Sequence, residues 1–394
     1  MDFVTHPLLG ATLAAAGGFD RRLGEKAAVF GLLAAAAPDL DTLAIVGGEW
    51  RMLVFHRGAT HSCLILALAT PLAGWLGGRL WGGGRKDGPP GATGATGAEA
   101  VPGAAAAAGA RRGAYLAWTL LAGLALFTHP LLDLFTSYGT QLFWPLSRHR
   151  FALDGIAVID PAYTLPLLAA VLVAVSRRFS PRAKRRTAQV VLVLTSAYLL
   201  LGYGLSRHAI ARGREELARA GFAAAEIRAV PTMLNVVLWR VVARDAAGNL
   251  RVGMLSLCAD RPIAFRQLDR PDDPLVARAL ESPRGRIFEW FALGMVSARV
   301  TRDPAGARVA LQDQRYGLLT DPGWSPFAAE TEFDGAGRLV AVRSIIERRG
   351  LYVWREAAAM WRAIRGEKQA LPPGPPGTAP PPASPAAAAP ARSR

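Results

Sequence analysis

His129 and Asp133 stand four residues apart in "THPLLDLFTSYGTQ" (128–141), at the end of an apolar run. On a helix that spacing puts both side chains on one face. Asp39 and Asp41 close another apolar stretch in "PDLD" (38–41), and His56, Arg57 and His61 fall within "HRGATHS" (56–62). Neutral imidazole and carboxylate are the usual ligands of zinc and, with more oxygen donors, of manganese or magnesium. Asp39, Asp41, His61, His129 and Asp133 are therefore predicted to hold a divalent cation, zinc first. The chemistry expected of such a centre is hydrolysis, the cation lowering the pKa of its water. His56 is placed as an acid/base and Arg57 as the anchor of an anionic substrate group.

Prolines accompany these residues, and they shape backbone. Pro130 removes one helical hydrogen bond, and freed backbone is tolerated at membrane depth only against protein or a water-filled cavity. Pro38 breaks its helix, so that Asp39 and Asp41, which would point apart on a regular helix, can converge. His56 and His61 share no helical face and need a turn at Gly58. "THPLLG" (5–10) repeats the His-Pro pair at His6; the two copies mark two helices meeting at the site, or are a coincidence in a chain rich in Ala and Leu. Plainer readings fit other positions. His149 and His208 read as interfacial residues with satisfied hydrogen bonds, and Asp160, just before Pro161, reads equally well as a helix cap.

The elements that must position these groups are apolar. The chain has 394 residues, is 51% hydrophobic and carries a formal net charge of +16. Stretches 3–19, 27–46, 61–81, 114–135, 161–176 and 188–206 approach the roughly 20 residues a membrane-spanning helix needs. Basic residues gather between them, thirteen in connections 20–26, 82–113 and 177–187 against four in 47–60 and 136–160. That asymmetry orients membrane proteins, the basic connections staying in the cytoplasm. A basic stripe with interleaved aromatics, the footprint of nucleic-acid binding, is missing, and no direct nucleic-acid partner is expected. Two cysteines, Cys63 and Cys258, make neither a disulfide framework nor a zinc-finger spacing. Arg21 and Arg22 follow the first apolar stretch, which predicts a retained segment that starts outside the cytoplasm.

The predicted fold is a polytopic α-helical membrane protein of about six spans with a C-terminal extracytoplasmic α+β domain. Residues 1–206 form the membrane domain, with 82–113 as a disordered Gly/Ala/Pro-rich loop. Residues 207–366 form the soluble domain. In it, 232–258 reads as two strands around a turn at Ala246–Asn249, and 330–345 repeats the pattern around Asp334–Gly337. An amphipathic helix is expected over 351–366, and the Pro/Ala-rich tail 367–394 is expected to be disordered. Ionisable residues inside spans are functional candidates by default. The orientation drawn from Lys and Arg alone puts His6, Asp39, Asp41, His61, His129, Asp133, Asp154 and Asp160 at one membrane face.

"PDLD", "HRGATHS", "THPLLDLFTSYGTQLFWPLS" (128–147) and "FALD" (151–154), in this order, resemble the YdjM-type family of bacterial inner-membrane proteins over about residues 1–206. Those proteins are described as membrane-bound metal-dependent hydrolases and also as LexA-binding. The resemblance implies His6 as a further metal ligand and Asp154 as a further catalytic position, with a bacterial inner-membrane location. The family pattern often has a His after the second Asp, where this chain has Thr42. A site at the leaflet boundary points to a lipid or lipid-linked (phospho)ester as substrate, with membrane lipids as partners. Two other classes stay open. A proton- or metal-coupled transporter would carry polar residues on to the cytoplasmic face, where these spans are apolar. A regulatory or scaffold protein would bind a protein partner through the basic loops and would tolerate substitutions at the site.

Overall fold

The apolar stretches end where glycine, proline and capping side chains stop them. The structure, a computed structural model, describes residues 1–81, 104–268, 271–321, 323–346 and 353–367. α1 (Thr5–Gly17) closes on Gly18, whose φ of +66° is a left-handed cap. α2 is a single turn, Asp20–Leu23. α3 (Lys26–Ala36) stops two residues before Pro38, and the chain runs on as 3-10 turns over Ala37–Gly47. α4 (Glu49–Phe55) and a 3-10 turn (Ala59–His61) lead into α5 (Cys63–Trp81). α6 covers Ala104–Leu134. α7 (Pro161–Val175) and α8 (Pro181–Arg219) each open with a proline behind a capping side chain, Asp160 and Ser180.

Six spans are not supported. Among the described residues three helices, α5, α6 from Ala108 onwards and α8, are long and apolar enough to cross a membrane; α7 is apolar but shorter. At 1.5 Å per residue α1 and α3 reach only about 20 and 16 Å, short of the roughly 30 Å core. Gly18 and Pro38 end them early, and both pack inside the bundle instead. α1 lies against α3, α7 and α8, α3 against α6, and α6 against α5. Small residues make the closest crossing: a Cβ on Gly10 would sit 2.1 Å from the Gly31 carbonyl oxygen. Leucines such as Leu68, Leu72, Leu120 and Leu194 remain exposed on the outer faces of α5, α6 and α8. That is the face a bilayer would cover.

α8 is one unbroken helix of 39 residues, so the boundary drawn at 206 falls inside it. Its polar end packs on the first of two four-stranded antiparallel sheets, where Gly213 meets Val241. That sheet runs in the order β1 (Glu226–Pro231), β2 (Leu238–Arg244), β3 (Leu250–Ser256), β4 (Arg266–Leu268). α9 (Pro274–Glu281) and α10 (Pro283–Phe291) follow. The second sheet is β5 (Val296–Asp303), β6 (Gly306–Asp313), β7 (Phe327–Asp334), β8 (Leu339–Ile346), and α11 (Val353–Ile364) ends the description. The β2–β3 and β7–β8 hairpins lie where the alternation placed them. The stretch expected as loop contained a helix start: residues 104–113 belong to α6, in keeping with the helix propensity of their alanines. The expectations for 82–103 and for the tail from 368 lie outside the described residues.

The two parts share apolar cores. Leu132, Ile156, Tyr163 and Leu167 of the helical part cluster with Trp239, Val241 and Leu255 of the first sheet. Leu53 joins Phe288, Phe291 and Val309 around the second. The α+β region thus sits on the bundle at one end, the end that carries the His and Asp residues.

Candidate metal centre

Helix ends converge there. α1 begins at the site, α3 and its 3-10 extension end at it, α5 begins beside it, and α6 ends in it. His129 lies one turn before Asp133 in α6, and Pro130 between them is accommodated within the helix. His129 Nδ1 donates to the Ala35 carbonyl at 2.6 Å, at the end of α3. That bond fixes the tautomer and leaves Nε2 as a lone pair. His61 is fixed in the same way. Its Nδ1 faces Asp41 Oδ2 at 3.3 Å and Thr60 Oγ1 at 3.0 Å, so Nε2 is again the open nitrogen.

The open atoms face one another. His61 Nε2 lies 3.3 Å from Asp133 Oδ2 and 3.8 Å from Asp39 Oδ1. His129 Nε2 lies 3.4 Å from Asp39 Oδ1 and 3.7 Å from Asp133 Oδ2. His61 Nε2, His129 Nε2 and Asp133 Oδ2 are buried without a hydrogen-bond partner. Three orphaned buried polar atoms in one place are costly unless a ligand takes them up. Tetrahedral donors 2.0–2.2 Å from an ion stand about 3.3–3.6 Å apart; two of these separations, 3.3 and 3.4 Å, fall in that range and the other two, 3.7 and 3.8 Å, lie just above it. Two imidazoles and two carboxylates therefore fit a divalent cation.

The remaining predicted residues surround that group. Asp41 spends both oxygens on protein: Oδ1 on His56 Nδ1 at 2.7 Å, Oδ2 on Thr60 Oγ1 at 2.7 Å, the Arg57 amide at 2.9 Å and His61 Nδ1. It orients His56 and His61. His6 stacks on His129 with ring centroids 3.6 Å apart and bonds Asp133 Oδ1 through Nε2 at 3.2 Å. The two His-Pro copies do meet. The same Oδ1 takes the Met1 amino group and Arg57 Nη2, the latter at 3.0 Å. Arg57 is buried, bonds Thr136 Oγ1 at 2.7 Å through Nη1, and lies over the Tyr138 ring. It is committed to holding Asp133. Burial and the neighbouring Arg57 lower the His56 pKa against its Asp41 bond, so a neutral ring donates through Nδ1 and presents Nε2. Solvent reaches the group at Asp39, Asp41 and His56, whose side chains keep 10%, 7% and 11% exposure.

Asp154 is not brought into the group. It pairs with Arg228 of β1 at 2.6 Å. Asp160 caps α7 through the Ala162 amide and accepts from Tyr198. His149 is exposed beside Phe151. Sequence reasoning missed the contribution of the α+β region. Arg315, fully buried after β6, pairs with Asp313 and donates to the carbonyls of Ser137 at 2.8 Å and Phe291 at 2.8 Å. Burial opposes its charge, but Asp313 outweighs that and raises its pKa. It thereby clamps the segment just after Asp133. One arginine among many in the C-terminal half carries no signal for that.

The family model of the YdjM inner membrane protein matches residues 1–209, just over half of the chain. The chain belongs to the YdjM inner membrane protein family. The match takes in all of the converging helix ends and stops within α8, before the two sheets. "Uncharacterized protein YfhP" of Bacillus subtilis is 27% identical over 190 residues, 44% of this chain. The chain spans less than half of that relative's length, 46%. No solved structure matches. Membership of this inner-membrane family and the three apolar helices place the protein in a membrane.

Proposed function

We propose that the protein is a membrane-bound, metal-dependent hydrolase acting on a lipid or lipid-linked phosphoester. The observation that carries this reading is the convergence of His61 Nε2, His129 Nε2 and Asp133 Oδ2, buried and unpartnered, with Asp39 Oδ1. Asp39, His61, His129 and Asp133 would hold a divalent cation, zinc by its preference for such donors. Bound there, the cation would supply Lewis acidity and a nucleophile at neutral pH. Asp41 keeps His61 in the ligating tautomer, and Arg57 and His6 hold Asp133. His56, at the solvent edge and polarised by Asp41, is the group placed to carry a proton.

The nature of the substrate is inferred from the mouth. The 3-10 segment that bears Asp39 and Asp41 exposes Leu40, Leu43 and Val46, and Phe55 stands beside them. An apolar rim around a polar opening suits a headgroup whose tail stays in the bilayer. The chain is read as multi-pass, with this end and the α+β region outside the cytoplasm. The Lys/Arg asymmetry supports that, since Arg57 and Arg150, two of the four basic residues on the poorer side, are buried in protein.

The experiment is hydrolysis of lipid phosphomonoesters and phosphodiesters by the full chain in mild detergent. Turnover should stop with a chelator, return with zinc, and be lost in His61→Ala and Asp39→Asn. Turnover that survives both chelation and these substitutions would refute the proposal.

A further inference from the structure

A second feature, apart from the metal centre, lies between the bundle and the α+β region. The loop after α6 and the α10 side of the outer region enclose a cleft of about 740 Å³. Phe143 and Phe151 from the loop and Trp290 and Leu293 from α10 and the residues after it line it. Arg150 lies in its floor. Its Nη atoms donate to the carbonyls of Leu53, Tyr138 and Gly139, and its Nε is buried without a partner. Its charge rests on the rings of Tyr138, Trp290 and Phe291, at 5.0, 4.9 and 5.4 Å.

The buried Arg57 and Arg315 and the partly buried Arg228 each have a carboxylate, Asp133, Asp313 and Asp154. Among the described residues Arg150 has none. A buried cation without a counter-ion is costly, and burial pushes its pKa down to about 10. At the rim the exposed guanidinium of Arg286 also has no hydrogen-bond or ion-pair partner among the described residues. Of the carboxylates that line the cleft, Glu226 is engaged by Arg244 at 3.1 Å, and Glu289 stands on α10. Phe143 of the cleft lining is exposed, and its neighbour Leu142 accepts from the Cys63 amide at the start of the membrane-crossing α5. A lining that combines Arg150 and Arg286 with Phe143, Phe151 and Trp290 suits a ligand with an acidic head and an apolar tail.

We propose that this cleft binds the head of an anionic phospholipid, one whose phosphate carries no compensating cation, with the phosphate facing Arg286 and Arg150 and the acyl chain passing Phe143. This does not rest on the metal reading. The full chain in neutral detergent is titrated with phosphatidic acid, phosphatidylcholine and inorganic phosphate, with thermal midpoint as the readout. Phosphatidic acid should raise the midpoint, and Arg286→Gln should weaken its binding about tenfold, the scale of one hydrogen bond to a charged group. Arg308→Gln, which removes an equal charge from the exposed face of β6, should leave it unchanged. Binding should persist in His129→Ala, which removes a metal ligand and leaves the cleft intact. Equal binding of phosphatidylcholine, equally tight binding of inorganic phosphate, or an unaltered Arg286→Gln would each overturn the proposal.

Discussion

Asp41 has neither oxygen to spare, and that sets its role. Four donors from His56, Arg57, Thr60 and His61 converge on it. Such outer partners of a metal ligand typically carry 10–100-fold in metal affinity. Asp41→Asn should therefore weaken zinc binding by about that factor while the protein stays folded, measured by competition with a chromophoric chelator. Unchanged affinity would mean that His61 is held by Thr60 alone. The residue types of the site were legible in the sequence, because His and Asp inside apolar stretches have few other reasons to be there. Their division into inner and outer layers was not. It depends on which ring nitrogen a neighbour occupies, and the neighbours, Ala35 and Thr60, are unremarkable in sequence. Asp154 looked like its companions but meets Arg228, 74 positions away.

At the scale of elements, the site exists because several helices stop at one level. Pro38 and the turn at Gly58 deliver Asp39, Asp41 and His61 from irregular backbone, and α1 is held near enough for His6 to stack on His129 by the Gly10–Gly31 crossing. A side chain at Gly31 has no room, its Cβ lying 2.4 Å from the Gly10 oxygen. Gly31→Val should cost about 1–3 kcal/mol, the usual price of overpacking, read as a lower thermal midpoint in detergent. An unchanged midpoint would show that α1 and α3 separate without loss. The breaks at Pro38 and Gly58 were readable as sequence signals. The shortness of α1 was readable too, since Asp20, Arg21 and Arg22 follow close on Gly18, but that of α3 was not: apolar residues resume after Asp41 as far as Val46, and hydropathy does not see where a helix ends. Alternation placed two hairpins, and the same alternation stands in "VSARVT" (296–301) of β5 and marks the buried Ala307, Val309 and Leu311 of β6.

The whole molecule adds a roof that the family match does not cover. The Arg315–Asp313 pair is fully buried, and removing one partner of such a pair costs about 3–5 kcal/mol. Arg315→Met should destabilise by that order and lower metal occupancy, because the segment after Asp133 loses its clamp. Adding Asp313→Asn should recover part of the stability, as one double-mutant cycle in thermal unfolding would register. Strict additivity would deny that the two residues act as a pair. Orientation is a separate matter of scale. A reporter active only outside the cytoplasm should be active when fused after Gly366 and silent within 82–113; the reverse would put the site on the cytoplasmic face. The two sheets were foreseeable as a separate α+β region, but their docking over the site was not, since it rests on contacts distant in sequence, from Arg228 with Asp154, 74 positions apart, to Arg315 with Ser137, 178 apart.

The central claim is that His61, His129, Asp39 and Asp133 hold one cation between them, and metal content per protein addresses it directly. The full chain is extracted in mild detergent as wild type, His129→Ala, Asp133→Ala and the double variant, and each is analysed for bound metal. Ligands of one ion act as a unit, so their losses do not add. Wild type should carry a divalent metal, either single variant should lose most of it, and the double variant should lose little more. Full occupancy in both single variants, with all four proteins folded, would contradict the shared centre.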